Sequence, residues 1–123
     1  MNDKDMTYTI SELSKEFGIT PRSIRHYEDE RLLSPTREGT QRIYHKGDHV
    51  RLQLILRGKR IGFSLAEIRE IFSIYDLPSG EEKQMEFLVT KLAERREALY
   101  QQQEDIKTML WELDRLELRI KQN

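Results

Sequence analysis

Arg22, Ser23, Arg25, His26 and Tyr27 fall within six consecutive residues. They are cations, small donors and one aromatic, the residue types that reach base edges and phosphate oxygens in a DNA major groove. One aliphatic residue, Ile24, sits among them, so one side of the stretch is tied to a core and the rest of its surface carries the donors. The chemistry on offer is non-covalent recognition of an anionic partner. Arg22, Ser23 and His26, at the front, are expected to read bases, Arg25 and Tyr27 to hold phosphates, and Thr20 to lie at the same DNA-binding surface. A bidentate arginine on guanine gives roughly 1–3 kcal/mol of discrimination between bases.

The elements needed to position these groups can be read on either side. Thr20 is a helix cap and Pro21 fits the first helical position, where no backbone donor is missed, so a helix is expected from Thr20 to about Glu30. Upstream, Thr9-x-x-Glu12 fits a capping box, and Ile10, Leu13 and Phe17 fall on one face of a first helix. Gly18 then supplies the turn. A helix, a glycine turn and a basic helix make a helix-turn-helix. Downstream, Leu32-Leu33-Ser34-Pro35 ends the second helix, and Glu38-Gly39 is a turn between short stretches holding Thr36, Thr40, Ile43 and Tyr44. This predicts a small β-hairpin wing with Arg37 and Arg42 on opposite arms, straddling a phosphate backbone, and Tyr44 as a further phosphate contact; for Tyr27 and Tyr44 a structural role, packing wing against helix, is the alternative. A third helix is expected over Asp48–Arg60, with Val50, Leu52, Leu54, Ile55 and Leu56 burying most of its circumference. Its basic end, Arg57, Lys59 and Arg60, with the backbone at Gly62-Phe63, would clamp the flanks. Ser64-x-x-Glu67 opens a fourth helix lined by Leu65, Ile68, Ile71 and Phe72.

Asp76-Leu-Pro-Ser-Gly80 breaks that helix, and Ser79-x-x-Glu82 fits a third capping box. From there Met85, Leu88, Leu92, Arg95, Leu99, Gln102, Ile106, Met109, Leu113, Leu116 and Ile120 alternate spacings of three and four, and nine of those eleven are apolar. This is a coiled-coil seam. At a rise of ~1.5 Å per residue the helix would run about 60 Å, too far for the preceding residues to cover. Self-pairing into a homodimer through the nine apolar positions is the economical expectation. A seam folded back on its own head, or pairing with another chain, are the rivals. Arg95 and Gln102 would set register at some cost in stability.

The charge distribution fits this division. Residues 20–62 carry ten Lys and Arg against five Asp and Glu, a net of +5, while residues 67–123 carry nine against thirteen, although the whole chain is only −1. Absence of cysteine excludes disulfides and thiolate metal sites. His45 and His49 flank Asp48 at helical spacing but read as wet surface groups, so no metal or other cofactor is expected. No apolar run spans a bilayer, and no signal-peptide core opens the chain, so no membrane partner and a cytoplasmic location are expected. With no nucleophile–base pair and no glycine-rich phosphate loop, an enzyme is not expected.

Tyr8-Thr-Ile10, Leu13, Gly18-Ile-Thr20, Arg22-x-Ile-Arg25 and Tyr27-Glu28 together resemble the N-terminal signature of the MerR family of bacterial transcription regulators. Leu32-Leu33-x-Pro35-x-Arg37 and Arg42-x-Tyr44 resemble its first wing, and Arg57 to Gly62 followed by Phe63-Ser64-Leu65-x-x-Ile68 its third helix, second wing and fourth helix. Two departures are His26, where the family usually carries a second aromatic, and Arg31, where it usually carries glycine. Arg31 implies a helix end without glycine's left-handed option. The resemblance implies a mainly α fold. A winged helix-turn-helix would fill residues 7–76 after a disordered tail at 1–6, and an antiparallel coiled-coil dimerisation helix would fill 77–123. It implies a homodimer on a pseudo-palindromic promoter operator, distorting the DNA for RNA polymerase. The segment from Arg57 to Arg69 resembles a subgroup tied to branched-chain amino-acid and fatty-acid catabolism, which implies a small metabolite such as an acyl-CoA as effector. An excisionase-like DNA-architecture factor and a coiled-coil adaptor are the competing classes.

Overall fold

The computed structural model describes residues 6–75 and 81–122. The elements run β1 (Thr7–Tyr8), α1 (Ile10–Phe17), α2 (Pro21–Asp29), β2 (Thr36–Glu38), β3 (Gln41–His45), α3 (Lys46–Arg60), α4 (Leu65–Tyr75) and α5 (Glu81–Gln122). The chain divides into two compact units, Met1–Pro78 and Ser79–Asn123. Of the tail expected at 1–6, residues 1–5 lie outside the described residues, as do the break over 76–80 with its capping serine Ser79 and residue 123.

Helix starts in the first unit follow local side-chain chemistry. Thr9 Oγ1 accepts from the Glu12 amide at 3.1 Å, and Glu12 Oε1 accepts from the Thr9 amide at 2.9 Å. Ser64 and Glu67 make the same reciprocal pair ahead of α4. Each box satisfies two amides that a helix start leaves without partners. Thr20 caps α2 by accepting from the Ser23 amide at 3.1 Å, with Pro21 in its first turn.

The end of α2 corrects the expectation at Arg31. Arg31 itself takes the left-handed conformation, at φ 62°. The Leu32 amide donates to the Tyr27 carbonyl and the Arg31 amide to the Glu28 carbonyl, both at 2.9 Å. This is the six-to-one and five-to-two closure that usually recruits glycine. Burial of Tyr27 and Leu32 against the core holds a conformation that costs a non-glycine residue about 1–2 kcal/mol.

Helix α3 begins two residues before the expected Asp48. The Asp48 carboxylate accepts from the His45 amide, at the helix cap, and from the Ser34 amide, both at 3.0 Å. One buried carboxylate therefore starts α3 and anchors the segment leaving α2. The helix buries one face, through Leu52 and Ile55, and not most of its circumference: Val50 and Leu54 are 43% and 46% exposed on the other side. Gly58 lies where α4 approaches closely; a Cβ there would stand 3.2 Å from the Ile68 side chain.

The hairpin forms with Thr36, Arg37 and Glu38 opposite Ile43, Arg42 and Gln41. A strand too short to leave a sequence pattern, β1, pairs on the other side of β3, giving the antiparallel order β1-β3-β2. The core gathers Leu13, Ile24, Leu32, Leu33, Tyr44, Leu52 and Ile55, all fully buried, with Phe63, Ile68 and Phe72 beside them.

The second unit is α5 alone. Its 42 residues extend about 63 Å at ~1.5 Å per residue. None of its described residues is buried. Met85, Leu99, Ile106, Met109, Leu113, Leu116 and Ile120 are each at least 43% exposed.

Candidate nucleic-acid interface

Burial of Ile24 and Tyr27 fixes which side of α2 faces outward. Arg22, Arg25 and His26 project from that side and are exposed, with Ser23 half-covered. Thr20, Arg22, Ser23, His26, Tyr27 and Lys59 line one shallow cleft, so the end of α3 delivers a cation beside the exposed helix start. Lys59 Nζ lies 5.7 Å from the centre of the Tyr27 ring. Arg22, Arg25, Arg57, Lys59 and Arg60 make no ion pair among the described residues. Those cations are not neutralised locally and face water, the state required of groups that exchange counterions for phosphates.

The wing arginines are arranged differently. Arg37 and Arg42 are direct cross-strand partners. Both turn to Glu28 of α2: Arg42 Nε donates to Oε2 at 2.8 Å, and Arg37 Nη2 stands 3.5 Å from Oε1. They clasp one carboxylate and do not straddle an open channel.

Burial favours the packing alternative for Tyr27 and Tyr44 and puts the Phe63 side chain inside. Tyr44 is fully buried, its hydroxyl without a hydrogen-bond partner among the described residues, so it packs the wing against the core and does not reach a phosphate from this position. Its pKa is pushed up to about 12, by burial first and then by the Glu28 carboxylate, with Asp48 adding and Arg42 and Arg25 opposing. Tyr27 is 4% exposed, and its ring serves as a floor under Lys59 more than as a free donor. The Phe63 side chain is in the core, and the backbone donors at Gly62 and Phe63 are taken, donating at 3.0 Å to the Lys59 and Gly58 carbonyls. Their amides close the end of α3, so the clamp expected there has only the side chains of Arg57, Lys59 and Arg60 to use.

The two histidines flanking Asp48 point to separate tasks. His45 Nε2 bonds Thr36 Oγ1 at 2.8 Å across the sheet, and His49 pairs with Glu16 while stacking on Tyr8 at 4.8 Å. Among the described residues no group of three or more His, Cys, Asp or Glu is placed to hold a metal ion. Sequence reasoning missed Glu28, which looked like part of a signature; its effect depends on contacts made 14 residues away. It also missed Arg69, whose guanidinium donates to the Glu30 carbonyl at 2.9 Å and pairs with the Glu30 carboxylate, tying α4 to the end of α2.

Comparison with known proteins agrees with this layout. The model for the MerR HTH family regulatory protein matches residues 8–73, and that for MerR, DNA binding, matches residues 50–116. The chain is similar to the HTH-type transcriptional regulator ZntR of Escherichia coli K12, 41% identical over 69 residues, which are 54% of this chain and 49% of that protein. The chain spans about half the length of the curated relatives it matches. Among solved structures, a MerR-family transcriptional regulator from Bacillus cereus superposes with a TM-score of 0.72 at 33% identity, over 89% of this chain and 78% of the other. HiNmlR, a MerR-family regulator lacking the sensor domain and bound to promoter DNA, superposes with a TM-score of 0.53 at 27% identity, over 76% of this chain and 79% of the other. No helix among the described residues is long and apolar enough to cross a membrane.

Proposed function

The chain belongs to the MerR family of helix-turn-helix regulatory proteins, and from that membership we propose that it is a sequence-specific DNA-binding transcriptional regulator acting in the cytoplasm as a homodimer. The observation that carries the reading is Arg22 and Lys59, cations without an ion pair among the described residues, lining one cleft with the exposed and capped start of α2, with Arg25 exposed on the same helix. Arg22, Ser23 and His26 read base edges in the major groove; Arg25, Lys59, Arg57 and Arg60 take phosphates. The wing contributes Arg37.

The dimer is supported by the wet apolar seam of α5, which a second copy, paired antiparallel as a coiled coil, would cover from Met85 to Ile120. Two heads on one rod bind a pseudo-palindromic promoter operator and distort the duplex, with phosphate contacts at both ends offsetting the deformation energy, so that RNA polymerase can engage. Selection from random duplexes tests the reading. It should return an inverted repeat with half-site centres about one or two helical turns apart. Enrichment of no sequence, with affinity indifferent to salt, would favour a coiled-coil adaptor. The effector in this proposal is a small metabolite of the acyl-CoA class, supported only by the sequence from Arg57 to Arg69; calorimetric heats no larger than dilution across an acyl-CoA panel remove it.

A further inference from the structure

The clasp between the wing and α2 has a direction built into it. Directly paired residues on neighbouring antiparallel strands share a face, and two like charges there repel. Arg37 and Arg42 are such a pair, and the Glu28 carboxylate offers one oxygen to each. The two contacts are unequal. Arg42 is at 2.8 Å with its side chain 25% exposed; Arg37 is at 3.5 Å and 56% exposed. A short bond to a half-buried guanidinium is expensive to break, whereas a long contact on the solvent side contributes little and exchanges freely. Glu28, at 18% exposure, lies directly after Tyr27, whose ring floors the cleft holding Arg22 and Lys59.

We propose that Glu28 is a specificity-determining positioning residue, an internal stand-in for a backbone phosphate that keeps Arg42 as a strut between wing and α2 and surrenders Arg37 to the DNA. The assignment rests on the regulator reading above. A phosphodiester presents two anionic oxygens much as a carboxylate does, so Arg37 trades one charge-assisted bond for another. With Glu28 in place, a wrong duplex gains little from the wing, because any phosphate contact of Arg37 replaces the one to Glu28 and Arg42 stays held. Without it, both arginines are free to take any phosphate.

Titrations of the full chain against a selected operator and a scrambled duplex, across a salt series, test this. Glu28→Gln should raise affinity for the scrambled duplex and lower the operator-to-scrambled ratio by on the order of tenfold, the worth of one charged hydrogen bond. It should also steepen the salt dependence on the scrambled duplex by about 0.9 for each phosphate newly engaged. Arg37→Ala, on an exposed side chain, should make the operator slope shallower by about 0.9 per head. A merely structural Glu28 would weaken both duplexes in parallel, leaving ratio and slope unmoved, and that result overturns the proposal. Should Glu28→Gln fail to fold by circular dichroism, Arg37→Ala decides alone: an unchanged slope means Arg37 is never released. If the unaltered chain binds neither duplex, it is the regulator reading that falls, a different outcome from binding whose ratio and slopes ignore both substitutions.

Discussion

The head unit and α5 treat apolar residues in opposite ways. In the first, Leu13, Ile24, Leu32, Leu33, Leu52 and Ile55 are sealed completely among short, individually capped helices and a three-stranded sheet. In the second, Leu113, Leu116 and Ile120 stand 60%, 52% and 74% exposed on a single rod. A large-to-small change in the head should therefore cost stability, whereas, on the proposed dimer, a change along α5 should cost association. The head seals its apolar residues within itself and α5 leaves its own in water, so on the proposed dimer the two can be broken separately.

The largest effect is expected from the seam. Leu113→Asp should reduce the assembly to monomers by analytical ultracentrifugation while the head keeps its fold. Operator affinity should then fall by at least two orders of magnitude, because the second head no longer binds at the high effective concentration set by its tether. Next is Asp48→Ala, which orphans the Ser34 and His45 amides. It should cost about 3 kcal/mol in denaturant unfolding, with the mass of the assembly unchanged.

Alkaline titration probes the buried wing residue. Tyr44 has a folded pKa of about 12 against an ordinary 10. Its contribution is fully present below pH 10 and is lost as pH rises toward 12. The loss should be about 2–3 kcal/mol by the linkage of pKa to stability. Tyr44→Phe should abolish that alkaline loss and leave operator affinity intact, whereas a phosphate-contacting hydroxyl would show a clear loss of affinity. The smallest effect belongs to Arg31→Gly. It relieves a left-handed residue, so unfolding should shift in the stabilising direction by about 1 kcal/mol.

These sites also separate what the sequence makes legible from what it hides. Helix starts are local: Thr9 with Glu12, Thr20 with Pro21 and Ser64 with Glu67 each declare themselves within four residues, and the structure has a helix at each. The long helix α5 is equally plain, since its apolar period and the absence of proline after Pro78 need no knowledge of a partner. Hidden features depend on contacts across the chain. Strand β1 has two residues and no period of its own. Tyr44, two residues after Arg42, allows a contact role and a packing role alike in the sequence, and only the fold places it in the core. Arg31 adopts glycine's conformation because burial of its neighbours compels it. Arg37 and Arg42 looked like two free cations, and only the fold brings Glu28 between them. The exposed cations of α2 needed less context, because Ile24 alone among them marks the inward side, and Arg22, Arg25 and His26 do lie exposed.

The most direct measurement is the stoichiometry and salt dependence of the complex with a selected operator, by sedimentation and anisotropy on the same sample. Two chains should load onto one inverted repeat as a single species, with affinity falling steeply as salt rises. One chain per duplex, or no complex with any duplex in dilute buffer, would contradict the account.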